Sequence, residues 1–230
     1  MDYNFILICS TGRSGSTTLQ RIINTIPNTN ICGENDNAII HLLEFYKSLK
    51  NKFIVNADYS YFVKNKIKPS WYNHYDTSAI ISHIKHMIIQ FLNYNNRATT
   101  IGFKEIRYDE QNIHLLNEFK ELFPKTKIII HIKNPELQCN SGWWAENPEQ
   151  SKQILLEKNN TLVKYYINNK KDTYLTCFKD LFNLEKLQQL FVFLEKESFF
   201  DQLKIVEIIN NNLELNSQDT NIVQKRFALF

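Results

Sequence analysis

Between residues 11 and 18 the chain reads Thr11-Gly12-Arg13-Ser14-Gly15-Ser16-Thr17-Thr18, a grouping of residue types suited to holding an anion. The stretch Phe5–Cys9 before it is continuously apolar and reads as a buried strand. After it, Leu19, Ile22, Ile23 and Ile26 recur at the spacing of one helix face, and the run stops before Pro27. A helix start at this point presents unpaired N–H groups and the positive end of the helix dipole. Gly12 and Gly15 let the backbone wrap around a phosphate-like group. Ser16, Thr17 and Thr18 add hydroxyl donors, and Arg13 adds a fixed charge. The plain alternative is a capped strand-to-helix turn, but a cap needs neither two glycines nor an arginine.

Glycine is otherwise scarce. The 230 residues contain five, where average usage of about 7% would give roughly 16. A chain this poor in glycine should keep it where backbone geometry demands it. Gly12, Gly15, Gly33, Gly102 and Gly142 each read as lying at the end of a strand or in its outgoing loop, so together they map a candidate site.

The elements that must carry this loop alternate between short apolar runs and helical periods, which argues for α/β architecture. Strands are expected at Phe5–Cys9, Asn30–Cys32, Thr99–Phe103, Ile128–Ile132 and Tyr174–Phe178. Ile80, Ile81, Ile84, Ile88, Phe91 and Leu92 mark a helix, and others are expected around 110–122, 136–146, 151–168, 184–196 and 199–211. Asn183 is the expected N-cap of the helix at 184–196. The fold class that follows is a mainly parallel five-stranded sheet flanked by helices. With no repeat, linker or boundary in view, residues 1–230 read as one domain. Residues 45–95 read as a helical insertion, whose 46–75 stretch is rich in tyrosine, tryptophan and lysine (Tyr46, Tyr59, Tyr61, Trp71, Tyr72, Tyr75; Lys47, Lys50, Lys52, Lys64, Lys66, Lys68).

Composition excludes several classes of function. A net charge of +3 is too weak for a nucleic-acid binder, so any anion binding must be local. No apolar run reaches the roughly 20 residues of a membrane helix, and Phe5–Cys9 is too short for a signal-peptide core. Cys9, Cys32, Cys139 and Cys177 form no CxxC pair. A soluble, cytoplasmic protein without membrane or nucleic-acid partners is the expectation.

A nucleotide-hydrolysing P-loop carries a lysine and then a hydroxyl after its last glycine. Here Ser16 and Thr17 follow Gly15, and Lys133-Asn134-Pro135 stands where a magnesium-binding carboxylate would be sought. The GxGxxG dinucleotide pattern does not fit either. Instead, Gly12 to Leu19 resembles the 5′-phosphosulfate loop of sulfotransferases that use 3′-phosphoadenylyl sulfate (PAPS). It is most similar to the arginine-bearing version of tyrosylprotein and carbohydrate sulfotransferases. The resemblance continues at Cys32-Gly33-Glu34, from Phe123-Pro124 to Ser141, and at Cys177-Phe178-Lys179-Asp180-Leu181. It does not extend to residues 45–95 or to the last twenty.

The resemblance implies a P-loop, sulfotransferase-like three-layer fold, PAPS as co-substrate, no metal, and transfer of a sulfuryl group to a hydroxyl or amine. Gly12, Arg13, Ser14, Gly15, Ser16, Thr17 and Thr18 would cradle the 5′ side of the donor. Lys133, together with Ser141 eight residues later and two turns into a helix started by Pro135, would clasp its 3′-phosphate. Lysine replaces the family arginine there and loses the bidentate fork. Phe178 stands where relatives often have tyrosine. Glu34 would be the base that takes the acceptor proton. Arg13 and Lys104 would stabilise charge developing on the leaving group, and Arg107 would add to them or bind acceptor.

Other roles stay open from sequence. Glu34 could instead cap a helix starting near Asp36, Glu105 is a rival base, and Lys104 and Arg107 could be surface ion-pair residues. His83 and His86 read as solvated and His131 as a core histidine, while Trp143 and Trp144 could flank a ligand or pack. The acceptor could be a carbohydrate, a small molecule or a tyrosyl peptide. The competing functions are a P-loop nucleotide or sugar kinase and a catalytically inactive nucleotide-binding module.

Overall fold

The computed structural model describes residues 3–55, 77–93 and 97–214. Much of the lysine- and aromatic-rich stretch, including Tyr59, Tyr61, Trp71, Tyr72 and Tyr75, lies outside the described residues. Five strands form one sheet: β1 (Asn4–Ser10), β2 (Thr29–Cys32), β3 (Thr100–Glu105), β4 (Thr126–Ile132) and β5 (Thr173–Cys177). Their order is β2-β3-β1-β4-β5, and every pairing is parallel, with Leu7 opposite Phe103 on one side and Ile128 on the other. Strands buried on both faces need no polar alternation, which is why Phe5–Cys9 reads as a continuous apolar run.

The side-chain period of two sorts that run into two cores. Phe5, Leu7 and Cys9 face one layer with Ile101, Phe103, Ile128 and Ile130. There they meet α2 (Ala38–Val55), α3 (Thr77–Leu92), α4 (Leu115–Leu122) and α6 (Pro148–Asn168) through Leu43, Ile88, Phe119 and Leu162. Ile6 and Ile8 face the other layer with Ile31 and Ile129. That side is covered by α1 (Ser16–Ile23), α7 (Leu184–Phe193) and α8 (Gln202–Glu214), through Leu19, Phe191 and Ile205. Each buried Ile, Leu or Phe contributes about 1.5–3 kcal/mol, so the two faces together fix the sheet between its helical layers.

Several boundaries differ from the sequence expectation, each for a local reason. The helix expected over 110–122 begins at Leu115, because the Asp109 carboxylate first accepts the amides of Gln111 and Asn112. The helix expected over 136–146 is two pieces, α5 (Pro135–Gln138) and a 3₁₀ turn at Gly142–Glu146. Ser141 is extended between them (φ −124°) and Gly142 is left-handed (φ 59°), so Ser141 does not sit two turns into a helix. β3 runs on to Glu105, which puts Gly102 inside a strand. There it opposes Ile6, and a Cβ would collide with the Ile6 carbonyl. Gly102 therefore serves the close approach of two central strands and is not part of a site map.

Candidate functional site

In a parallel sheet the ligand crevice lies beyond the carboxyl ends of the strands, where the order reverses. The order here places that point beside β1, and each strand delivers a candidate residue to the same edge. The loop 11–15 follows β1, Glu34 follows β2, Lys104 ends β3, Lys133 follows β4 and Phe178 follows β5.

The loop is held in a form that only part of its sequence announces. Gly15 is left-handed (φ 92°) and caps α1, and Arg13 is left-handed as well (φ 67°). Alternating backbone of this kind turns successive amides toward a concavity, and the first-turn amides of α1 add to it. Behind the loop stands a buried polar brace. Ser10 Oγ donates to the His131 carbonyl at 2.6 Å and lies 2.6 Å from Ser14 Oγ. The His131 ring places Nε2 3.1 Å from the Ser14 carbonyl, and burial pushes its pKa down to about 4, which keeps the ring neutral. Gln138 Nε2 donates to Thr11 Oγ1 at 2.8 Å and to the Gly12 carbonyl at 2.6 Å, and Trp144 Nε1 donates to the same carbonyl at 2.9 Å. With the Gly12 and Ser14 carbonyls claimed from behind, the front of the loop is left to its amides and to the first turn of α1.

Ser14 and Ser16 are themselves buried, whereas Thr17 and Arg13 are exposed. Trp143 lies over Gly12, where any Cβ would strike its ring. The Arg13 side chain runs across Gly142 and donates from Nε to Ser141 Oγ at 3.4 Å. Arg13 and Ser141, assigned from sequence to opposite ends of a nucleotide, are thus neighbours.

On the other flank Lys104, 6% exposed, donates from Nζ to Glu34 Oε1 at 2.6 Å and to Thr17 Oγ1 at 3.4 Å. Glu34 Oε2 accepts from Arg107 at 3.4 Å. Glu34 does not cap α2, which begins at Ala38. Asn35 does that, accepting the Ile39 amide at 3.2 Å. Glu105 is fully buried and accepts from the Ile106 and Asn35 amides and from Arg107. Three donors occupy three of its four lone-pair sites, and the carboxylate is fully enclosed, so Glu105 braces Arg107 and the start of the β2–α2 connection. Arg107 also reaches Asp36 at 2.5 Å, and with Glu105 beside it the guanidinium is held still more firmly in its charged form. Lys104 is no surface ion-pair residue; it is an enclosed one.

Lys133 is half-buried, with its ammonium 4.4 Å from the centre of the Phe178 ring. His83 and His86 are exposed on α3. Among the described residues no group of three His, Cys, Asp or Glu side chains is arranged to hold a metal ion, and no helix is long and apolar enough to cross a membrane. Sequence reasoning misses Gln138 and the bracing role of His131, because a buried polar residue on a one-turn helix or inside an apolar strand has no spacing signal.

No protein-family model and no curated protein sequence matches the chain. Among solved structures, the sulfotransferase domain of the Synechococcus PCC 7002 olefin synthase aligns with a TM-score of 0.53 at 14% identity, over 90% of this chain and 78% of that one. The sulfotransferase domain of the curacin biosynthetic pathway aligns at 0.48 and 19% identity, over 84% and 74%. A mouse sulfotransferase solved in complex with PAP aligns at 0.46 and 13%, over 90% and 62%. The chain has the five-stranded parallel α/β fold found in the first of these domains.

Proposed function

We propose that the protein is a sulfotransferase that moves a sulfuryl group from PAPS to a hydroxyl or amine acceptor by in-line displacement. The observation that carries this reading is the position of the Lys104 ammonium, between the Glu34 carboxylate at 2.6 Å and the Thr17 hydroxyl at the start of α1. A base and a buried cation thereby share the mouth of an anion-binding loop that lacks the lysine and carboxylate of a magnesium-dependent kinase.

The residues suit the donor. A glycine cradle, a helix start and exposed Thr17 can receive a phosphosulfate, and Lys133 with Ser141 would meet the 3′-phosphate. The donor supplies the sulfuryl group and a stable nucleotide leaving group. Lys104 has three N–H donors and spends two on Glu34 and Thr17, so the third can be directed at transferring oxygens without breaking the ion pair. Arg13 lies at the loop surface, where its charge would be worth most as negative charge grows on the leaving oxygen. Each Glu34 oxygen accepts one charged donor and keeps a lone pair, and Glu34 would take the acceptor proton. The arginine-bearing loop and Cys32-Gly33-Glu34 favour the tyrosylprotein or carbohydrate type. Residues 45–95 would form the acceptor side of a single domain. Four free cysteines fit a reducing, cytoplasmic setting.

A second reading, a nucleotide-binding module without turnover, is favoured by one fact: both Glu34 oxygens are already engaged by cations. Thermal unfolding with added ligand separates nucleotide classes. Stabilisation by 3′,5′-adenosine bisphosphate, unaffected by chelation of magnesium, is expected by mass action. Stabilisation by ATP with magnesium and none by the bisphosphate would replace this reading with a kinase.

A further inference from the structure

Lys133 replaces a forked guanidinium with a flexible ammonium, so something must hold it if it is to meet a phosphate in one place. Resting on the donor reading above, we propose that Phe178 is a positioning residue for Lys133. Its ring, wedged against Gly15 of the anion loop, seats the ammonium through a cation–π contact and so sets selectivity for nucleotides carrying a second phosphate.

Three observations converge on this ring. The Lys133 ammonium lies 4.4 Å from its centre, well inside the roughly 6 Å over which a ring face attracts a cation. A Cβ on Gly15 would stand 2.7 Å from Phe178 Cδ2, so the ring is in contact with the residue that starts α1. The ring also has its own support. It stands edge-on to Phe182 at 5.4 Å, in a turn fixed at its start by the Asp180 carboxylate, which accepts from the Cys177 amide at 2.8 Å. Phe178, just after β5, thus touches both the cap of α1 and the Lys133 ammonium that follows β4. Having no hydroxyl, the ring offers the ammonium a π face and no acceptor of its own. A cation seated before the ligand arrives loses less freedom on binding.

The test is calorimetric titration of the full chain with 3′,5′-adenosine bisphosphate and with 5′-AMP. Phe178→Met fills the space without a π face, and it should lower the bisphosphate-to-AMP affinity ratio by about 5- to 30-fold. Phe178→Tyr should keep the ratio within about threefold of wild type, since the ring face is preserved. In a Lys133→Met background the ratio should already be low, and adding Phe178→Met should change it little, because two residues acting as one unit are not additive. A ratio that survives Phe178→Met, or an equal loss of both affinities, would overturn the positioning role and leave the donor reading standing. A wild-type protein with no preference for the bisphosphate would overturn the donor reading and this proposal together.

Discussion

Lys104 is a lysine at the end of a fully buried strand, and its ammonium stays there because Glu34 and Thr17 meet it. That pairing shapes what a Glu34 variant should do. Glu34→Gln keeps a carbonyl oxygen for Lys104 Nζ but cannot take a proton. Turnover should fall by roughly 10²–10⁴, while affinity for 3′,5′-adenosine bisphosphate stays within a few-fold. Steady-state rates and titrations on the same preparation check this, and loss of binding together with activity would count against a base. Arg13→Ala is expected to lower turnover more than affinity, because its charge acts chiefly as the leaving oxygen develops its own. His131 supplies a pH prediction. Its pKa is pushed down to about 4 from 6.5 by burial, so the unfolded chain takes up a proton first as pH falls. This residue's contribution is full above pH 6.5 and is lost between there and about 4, at up to about 1.4 kcal/mol per pH unit. The unfolding temperature of wild type should therefore drop faster over that window than that of His131→Asn, and parallel curves would contradict it.

The one-turn helix α5 is the element the site depends on most and the one least legible beforehand. Asn134 caps it by accepting the Glu136 amide, Pro135 starts it, and its last residue, Gln138, braces Thr11 and Gly12. Gln138→Leu should cost about 1–3 kcal/mol by leaving Thr11 Oγ1 without its buried donor and the Gly12 carbonyl with Trp144 alone. It should also weaken anion binding, since the loop loses its support, and denaturant melts with ligand titrations would show both effects. Pro135 announced a helix start here, but it could not show that Ser141 is extended and Gly142 left-handed. That break is what turns Ser141 toward Arg13. The strands were legible because burial on both faces leaves an apolar run with no polar alternation. Gly102 was misread for the same reason: within such a run nothing marks where two backbones touch. Gly102→Ala should destabilise by more than the 1–3 kcal/mol of ordinary overpacking, since its Cβ meets the Ile6 backbone and no flexible side chain can yield.

For the molecule as a whole, the sheet order could be anticipated only in outline, yet it is what brings residues 13, 34, 104, 133 and 178 to one edge. Five strand ends converge there although their residues are spread over most of the chain. The loop after β1 was readable from its own composition. Glu34, Lys104 and Lys133 drew attention only through resemblance, because a single charged residue after a strand carries no local signal. Their mutual geometry, with Lys104 against Glu34 and Lys133 over Phe178, depends on long-range register and was beyond the sequence. The account rests on the claim that this edge recognises a nucleotide with phosphates on both its 5′ and 3′ positions. Calorimetric titration of the wild-type chain with 3′,5′-adenosine bisphosphate and with 5′-AMP measures it directly. A charge-assisted contact from Lys133 and Ser141 predicts that the bisphosphate binds about 10- to 150-fold more tightly, with or without magnesium. Equal affinities for the two nucleotides would contradict the claim.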